Sequence, residues 1–275
     1  MVIKFGSNSI SKPYLGSNEI LKAYLGSNLV YNASTLWTPD QLGSTALKLW
    51  FDASDAATIT KNASNYVSIW GDKSGNGNNG IQNNGTYQPL YDPDDKSVNF
   101  SQDFMSLSST SIKSCIAVVR NANGCATSNS ICFINGVSGS VGGFLRTNSL
   151  DYTISIDGVI GATGDASING ESLVPGNGTG TNISSANSNY VGFPTQNSPD
   201  LVYWQWTNSQ SIINIATVNN DSAYRSNLDI HEFIMISSTI SESDRQKLDG
   251  YLAHKWGITS KLPSNHPYKS SAPTV

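Results

Sequence analysis

The stretch IHEFIMISSTISESDRQKLDGYLAHKWG, residues 230–257, places one strand directly before one helix. Its first seven residues carry apolar side chains at both odd and even positions, which is typical of a strand covered on both faces. Ser241 and Asp244 have the spacing of an N-terminal helix cap, and Gly257 is a residue type that commonly ends helices. The apolar stripe between them is Leu248, Tyr251, Leu252 and Trp256. The stretch therefore predicts a central strand and one C-terminal accessory helix.

Most of the remaining chain has the pattern of strands separated by turn-rich loops. Residues 116–119 are also apolar on both faces, whereas residues 150–157 alternate strictly, as in a strand with one solvated face. Residues 201–207 and 211–218 are predicted to form a hairpin around the polar residues between them. Residues 158–189 are rich in Gly, Asn and Ser and indicate long loops. One helix among many strands predicts an all-β domain, either a sandwich or a jelly roll.

The composition argues against nucleic acid and membrane partners. The 275 residues carry a formal net charge of −4, only 13% of them are charged, and no run is dense in Lys or Arg, so we expect no nucleic acid or anionic lipid partner. The three cysteines, Cys115, Cys125 and Cys132, form no CxxC pair and predict buried free thiols. The N-terminal residues lack the apolar core of a secretory signal, and no run approaches the ~20 apolar residues of a membrane span. We therefore expect no membrane partner, and export by assembly and lysis.

The first residues contain a short repeat, because Gly-Ser-Asn recurs at Gly6, Gly16 and Gly26. Each repeat is followed by a run short enough for one strand, so the pattern predicts a three-stranded meander. So small a sheet has too little core to stand alone and needs a neighbour. The chain is therefore divided into a β-repeat at residues 1–33 and a main domain at residues 34–275. The alternative is that the repeat extends the sheet of the main domain.

Three motifs carry a resemblance to a known family. They are LKLWFDASDAATIT at residues 47–60, VSIWGDKSGNGNNGIQ at residues 67–82, and the segment at residues 230–268. In this order they resemble the laminin-G-like, concanavalin A-like jelly-roll domains of bacterial surface proteins and bacteriophage structural proteins. The resemblance covers residues 47–268 and implies a jelly-roll sandwich with an accessory helix. That fold hosts lectins, adhesion modules, hydrolases and structural parts, so it implies little about function.

The N-terminal repeat carries a second, shorter resemblance. Its segment YLGSNEILKAYLGSNLVY is similar to strand repeats near the N-terminus of phage particle proteins. In those proteins such segments join a fibre, tail or head appendage to the particle. The two resemblances together imply a protein on the virion surface.

One loop has the oxygen spacing of a calcium site. Asp72, Ser74 and Asn76 occupy positions one, three and five of a Gly-rich turn, so we name them as candidate Ca²⁺ ligands, with Asp52 and Asp55 as more distant candidates. Position twelve is an amide rather than a bidentate Glu, so the loop is no EF-hand. The alternative is an Asx-rich turn in which Asp72 and Asn76 bond to nearby backbone groups.

The sequence gives little indication of an enzyme. The only four glutamates, at positions 19, 171, 232 and 242, lie in no glycosidase pattern, and His231 and Glu232 are expected on opposite faces of a strand. His254 and His266 are expected to be structural or solvated. We find no nucleophile elbow, phosphate loop or dinucleotide fingerprint, so we expect no catalytic activity.

Aromatic residues near polar loops are the candidates for sugar binding. Tyr203, Trp204 and Trp206, together with Tyr190 beside an Asn-rich loop, could form a platform for a glycan. Trp204 and Trp206 share one strand face and Tyr203 takes the other, so at least one set is expected to pack in the core.

The sequence thus favours one functional hypothesis and leaves two others open. The favoured hypothesis is a bacteriophage virion surface protein, a head or tail fibre or decoration, anchored to capsid or tail proteins by its repeat and displaying a domain that binds host-surface glycans. Exposed strand edges in the repeat favour a homo-oligomer such as a trimer. The alternatives are a structural decoration or attachment protein without a ligand, and a bacterial adhesin or polysaccharide hydrolase.

Overall fold

The structure is a computed structural model that describes most of the main domain and the strands of the repeat. The described residues are 3–5, 8–10, 14–15, 18–19, 22–25, 28–32, 35–43, 46–121, 134–136, 146–148, 153–156, 163–173, 181–182, 198–216 and 226–275. Outside the repeat they form a mostly β fold with one α-helix.

The repeat forms three short hairpins, not the predicted three-stranded meander. Its strands are β1 (Ile3–Phe5), β2 (Asn8–Ile10), β3 (Tyr14–Leu15), β4 (Asn18–Glu19), β5 (Lys22–Leu25) and β6 (Asn28–Asn32). They pair as β1 with β2, β3 with β4, and β5 with β6, each pair antiparallel. The residue before each Gly-Ser pairs with the Asn after it, so one ten-residue repeat holds a whole hairpin rather than a single strand. The prediction of three strands was wrong because both flanks of each Gly-Ser are extended and bond to each other.

The three hairpins are separate from the main sheet. Each is a two-stranded sheet of its own, and among the described residues none of their strands pairs with a strand of the main domain. The described backbone therefore gives no support to the alternative in which the repeat extends the main sheet.

The main domain is built around one 12-stranded antiparallel sheet. Its strands are β7 (Leu47–Asp52), β8 (Ile59–Lys61), β9 (Val67–Trp70), β10 (Gly80–Ile81), β11 (Leu90–Asp92), β12 (Ser97–Asp103), β13 (Met105–Asn121), β14 (Ile134–Gly136), β17 (Thr163–Ile168), β18 (Glu171–Leu173), β20 (Asp200–Ile215) and β21 (Ser226–Ile236). A separate three-stranded sheet contains β15 (Arg146–Asn148), β16 (Thr153–Ile156) and β19 (Thr181–Asn182). The α-helix, α1 (Glu242–Lys255), follows β21, and short 3-10 helices lie at Pro39–Leu42, Ala56–Thr58, Gly85–Tyr87 and Thr259–Lys261.

The two strands predicted to be central lie in the middle of this sheet. β13 pairs with β20 on one side and with β21 on the other, and β21 continues the sheet to β12 and β7. The sheet is nearly closed, because Tyr66 bridges to Leu90 and the Val67 amide donates to the Pro89 carbonyl at 2.8 Å. The predicted β class is therefore confirmed as a mostly β fold, with a large antiparallel sheet and one helix in the described residues.

The predicted hairpin at residues 201–218 is wrong. β20 runs through Asn208-Ser209-Gln210 as one strand, because the similarly long β13 pairs with it from Asp200 to Ile215. The three polar residues coincide with a register shift between the two strands, where Ile112 pairs with Gln210 but Ser114 pairs with Gln205. A polar triplet thus marks an irregularity in a strand rather than a turn.

Apolar side chains cover both faces of the central strands. On β21, Phe233 and Met235 join one core cluster while Ile234 and Ile236 join another. The second cluster contains Leu248 and Leu252 of α1, so the helix covers that face of the sheet. The opposite face is enclosed by the curved sheet itself. This arrangement explains why residues 230–236 are apolar at both odd and even positions.

The helix begins and ends where the sequence predicts. Ser241 Oγ accepts a hydrogen bond from the Asp244 amide at 3.1 Å, which caps the N-terminus. At the other end the Ile258 amide donates to the Ala253 carbonyl at 2.9 Å across Gly257, whose φ is +68°. This is the Schellman arrangement, in which glycine adopts the left-handed conformation at low cost.

The first and last described residues of the main domain lie side by side. Leu36 bridges to Thr274, the Trp37 amide donates to the Pro273 carbonyl at 2.9 Å, and the Val275 amide donates to the Thr35 carbonyl at 2.9 Å. Residues 35 and 275 are therefore held together by backbone hydrogen bonds.

Candidate functional site

The candidate calcium loop, between β9 and β10, is filled by its own hydrogen bonds. Asp72 Oδ1 accepts from the amides of Trp50 and Ser74, both at 2.9 Å. Asp72 Oδ2 accepts from Ser74 Oγ at 2.7 Å and from the Asn78 amide at 2.9 Å. Both carboxylate oxygens therefore already have two donors each, which is the Asx-turn arrangement rather than an open set of metal ligands.

The rest of the loop bonds to the edge of β7. The side-chain amides of Asn76 and Asn78 each donate at 2.7 Å, to the carbonyls of Leu47 and Lys48 respectively. Gly75 and Gly77 have φ of +83° and +73°, so the turn needs glycine at both positions. In the described part of the chain no group of three or more His, Cys, Asp or Glu could hold a metal ion. In the described sheet β7 pairs with β21 along one edge only. The loop covers the other edge of β7 and so protects it from pairing with another chain.

Replacing Asp72 with asparagine tests this interpretation. The new amide group cannot accept from the Asn78 amide, so we expect the free energy of unfolding to fall by about 2 kcal/mol. The loss should be the same in Ca²⁺ and in a chelator, measured by urea denaturation. The exposed Asp94→Asn change is the matched control and should stay within about 0.5 kcal/mol of the parent. If Ca²⁺ stabilises the parent but not the Asp72→Asn chain, the loop is a metal site.

The aromatic candidates for a glycan platform lie in the interior. Tyr203, Trp204 and Trp206 are each only 1% exposed. Trp204 and Trp206 pack edge to face in the core inside the sheet, with ring centroids 6.4 Å apart, while Tyr203 lies under the helix. These three residues therefore pack the two cores and offer no ring face to a sugar, which corrects the prediction that they bind one. Tyr190 lies outside the described residues.

The three motifs that carry the family resemblance each contribute residues to a buried cluster of charges, which the sequence did not reveal. Glu232 on β21 pairs directly with Asp52 on β7, and Glu232 is fully buried. Its carboxylate accepts four hydrogen bonds, from Trp50 Nε1 at 2.7 Å, Trp256 Nε1 at 2.7 Å, Tyr251 Oη at 3.1 Å and Lys255 Nζ at 2.6 Å. Burial raises the pKa of Glu232 above its ordinary value, and the attraction of Lys255 opposes this. The carboxylate therefore ties the end of α1 to the sheet.

Asp52 forms the other half of this cluster and is 3% exposed. Its Oδ1 accepts from Lys255 Nζ at 2.8 Å, from Ser54 Oγ at 2.6 Å and from the Ser54 amide at 3.1 Å. Its Oδ2 accepts from Lys73 Nζ at 2.8 Å, and Lys73 also contacts Asp55 Oδ2 at 2.9 Å. Burial alone would raise the pKa of Asp52, but Lys255, Lys73 and Ser54 together hold it below its ordinary value. Asp52 and Asp55 thus bind lysines rather than forming a calcium site with Asp72.

A β-bulge brings His231 to the same helix end as Glu232. The register of β21 against β13 skips His231, since Val118 pairs with Glu232 and Val119 with Ile230. The His231 ring packs edge to face on Trp256, 5.1 Å between centroids, and Trp256 also bonds to Glu232. The prediction that these two side chains lie on opposite faces therefore fails at the bulge. The single sequence signal for the cluster is a Glu within a strand that is otherwise apolar on both faces.

A polar pocket of about 300 Å³ lies beside the N-terminal half of α1. Glu242 accepts two bonds from the Arg245 guanidinium, at 2.6 and 3.0 Å, and this pairing lowers the pKa of Glu242. Asp249 beneath them is fully buried, bonds Arg245 at 2.8 Å, and has a pKa raised by burial. His266 Nε2 lies 3.7 Å from Asp249 Oδ2. The lining residues are Gly170, Glu171, Glu242, Arg245, Gln246, Pro263, Asn265, His266 and Pro267.

Comparisons with known proteins add no identification. No protein-family model, no curated protein and no solved structure matches this chain. In the described residues no helix is long and apolar enough to cross a membrane. The class that can be stated is a mostly β protein with one α-helix and a large, nearly closed antiparallel sheet.

Proposed function

We propose that this chain is a bacteriophage virion surface protein, in which residues 1–33 attach a concanavalin A-like jelly-roll domain, residues 34–275, to a head or tail. The observation that carries the proposal is the independence of the hairpins, since each pairs only within itself among the described residues. The resemblance of the repeat and of the domain motifs to phage particle proteins supports it. The proposal assigns no reaction to the protein.

The hairpins have the properties of an assembly segment. An isolated two-stranded sheet is marginal in water, and its outer edges carry unpaired backbone donors and acceptors. Apolar residues pair across the hairpins, as Ile3 with Ile10 and Tyr24 with Leu29. Three such units in sequence would gain stability by adding strands and apolar surface to capsid or tail subunits, or to other copies in a symmetric oligomer such as a trimer.

Deleting residues 1–32 tests the attachment role. We expect the shortened chain to keep the melting temperature of the main domain but to fall at least about tenfold in particle occupancy, because three binding units are lost together. Occupancy is measured by mass spectrometry of purified particles, and a density map of the full-length particle should show what residues 3–32 contact. The matched control is the double variant Lys4→Ser and Ser9→Lys, which swaps two residues that pair across the first hairpin. It should leave occupancy unchanged. Full occupancy of the shortened chain would refute the attachment role.

The burial of the three aromatic candidates favours a structural decoration role over glycan binding within the described residues. Host-surface glycan binding is the second candidate, and the pocket lined by Glu171, Gln246 and Asn265 supports it, because carboxylates and amides can bond sugar hydroxyls. A glycan array probed with the full chain separates the two roles. Release of reducing ends from host polysaccharide would instead indicate the hydrolase alternative.

A further inference from the structure

We propose that Lys255 and Asp52 become joined by an intramolecular isopeptide bond, with Glu232 accepting a proton from the attacking amine. This inference is independent of the proposed function, because it rests on the buried charge cluster alone. It assigns a modification site at which the folded chain acts on itself and needs no other reactant.

The reacting groups are held in contact within the folded protein. Lys255 Nζ lies 2.8 Å from Asp52 Oδ1 and 2.6 Å from Glu232 Oε2, so one amine contacts both an electrophile and a base. Asp52 and Glu232 are 3% and 0% exposed and are fixed opposite each other by the pairing of β7 and β21. Groups held at such distances react far faster than the same groups free in water, because no translational entropy remains to be lost.

The donors around Asp52 fit an acyl-transfer reaction. Ser54 directs both its backbone amide and its hydroxyl at Oδ1, at 3.1 and 2.6 Å, where negative charge would develop in a tetrahedral intermediate. Lys73 Nζ contacts the second oxygen, Oδ2, at 2.8 Å and can protonate it as it leaves. The Tyr251 hydroxyl and the two Trp Nε1 groups keep the Glu232 carboxylate in place beside Lys255.

The reaction balances with one water as its other product. Lys255 Nζ passes one proton to Glu232, and its electron pair forms the C–N bond with Asp52 Cγ. The bond from Cγ to Oδ2 breaks, and Oδ2 leaves as water after taking one proton from Lys73 and one from the attacking nitrogen. Glu232 then loses the proton that it took from Lys255, and Lys73 regains one, so both groups return to their starting states.

The buried surroundings favour the product. A buried ion pair carries a desolvation penalty for each charge, whereas an amide is neutral and carries a smaller one. The bond would also connect β7, near the start of the main domain, to the end of α1, which closes a very long loop in the unfolded chain and so destabilises the unfolded state.

Mass spectrometry of the purified full chain tests the proposal. We expect an intact mass lower than the sequence mass by one water, and a proteolytic fragment in which the peptides containing Asp52 and Lys255 are linked. The fragment is decisive, because cyclisation at Asp157-Gly158 would also remove one water. A chain at its full sequence mass, or a water loss mapped elsewhere, overturns the proposal.

Two variants sharpen the result. Lys255→Arg keeps the positive charge but removes the amine, so it should have the full sequence mass. Lys261→Arg is the matched control, since Lys261 also contacts a buried aspartate, Asp200, at 2.7 Å, and it should keep the mass deficit of the parent. A Lys255→Arg chain that retains the deficit refutes the bond. If that variant does not fold, the linked fragment from the parent chain still decides the question.

Discussion

Replacing Glu232 with glutamine is expected to lower the free energy of unfolding by about 3–5 kcal/mol, the usual effect of removing one partner from a buried ion pair. The side chain keeps its size, so no cavity forms. One of the two carboxylates that balance Lys255 is lost. The new amide nitrogen is a donor facing the Nε1 donor of either Trp50 or Trp256, which bond to different oxygens of Glu232. One Trp donor loses its acceptor whether or not Lys255 is cross-linked in the parent, so a loss of stability is expected in either case.

The matched control for this experiment is Glu242→Gln on the first turn of α1. Glu242 is also paired with a cation, Arg245, but its side chain is 60% exposed. Because the Glu242 carboxylate is solvated and the buried Arg245 keeps its ion pair with Asp249, this change should cost no more than about 1 kcal/mol. Both free energies are measured by urea denaturation with a common slope. Equal losses in the two variants would mean that the buried cluster does not hold the helix to the sheet.

Replacing Gly250 with alanine is expected to destabilise the protein by about 2–3 kcal/mol, the effect of overpacking a filled core. Helix propensity alone predicts the opposite, a gain of about 1 kcal/mol for Gly to Ala within a helix. The reason is steric, because a Cβ at Gly250 would lie 2.4 Å from Tyr268 Cβ and 3.2 Å from Pro273 Cδ. The C-terminal segment that packs across α1 would have to move.

A double-mutant cycle separates the steric effect from a general loss of helix stability. Tyr268→Gly removes the Cβ that meets the new methyl group, so Gly250→Ala should cost much less in that background. We expect a coupling of about 1–3 kcal/mol between the two positions, the range for residues in contact. Additive effects in urea denaturation would show that the tail does not press on Gly250.

Local signals in the sequence were enough to predict individual elements. The caps of α1 and the two-faced apolar pattern of residues 230–236 each depend on neighbours within a few positions, and the structure confirms both. Pairing over long distances was not accessible in this way. Asp52 and Glu232 are far apart in the chain and meet only because β7 and β21 are adjacent.

The open choice at residues 72–78 and the error at residues 201–218 have the same origin. The oxygen spacing at Asp72 suits either a metal site or an Asx turn. The turn is favoured by hydrogen bonds from its Asn side chains to the carbonyls of Leu47 and Lys48, which lie on β7, far from the loop in the sequence. The polar triplet in β20 suits either a turn or a strand irregularity, and the length of β13 decides it. In both cases the deciding partner is another strand, which no single-sequence pattern identifies.

The pairing of residues 35 and 275 makes the main domain a module with a single point of entry and exit. Such a domain can be inserted into a surface loop of an unrelated carrier without stretching either end. It can also be permuted, with residues 35 and 275 joined by a short linker and new ends opened in an exposed turn. A partner that holds residue 35 therefore also holds residue 275.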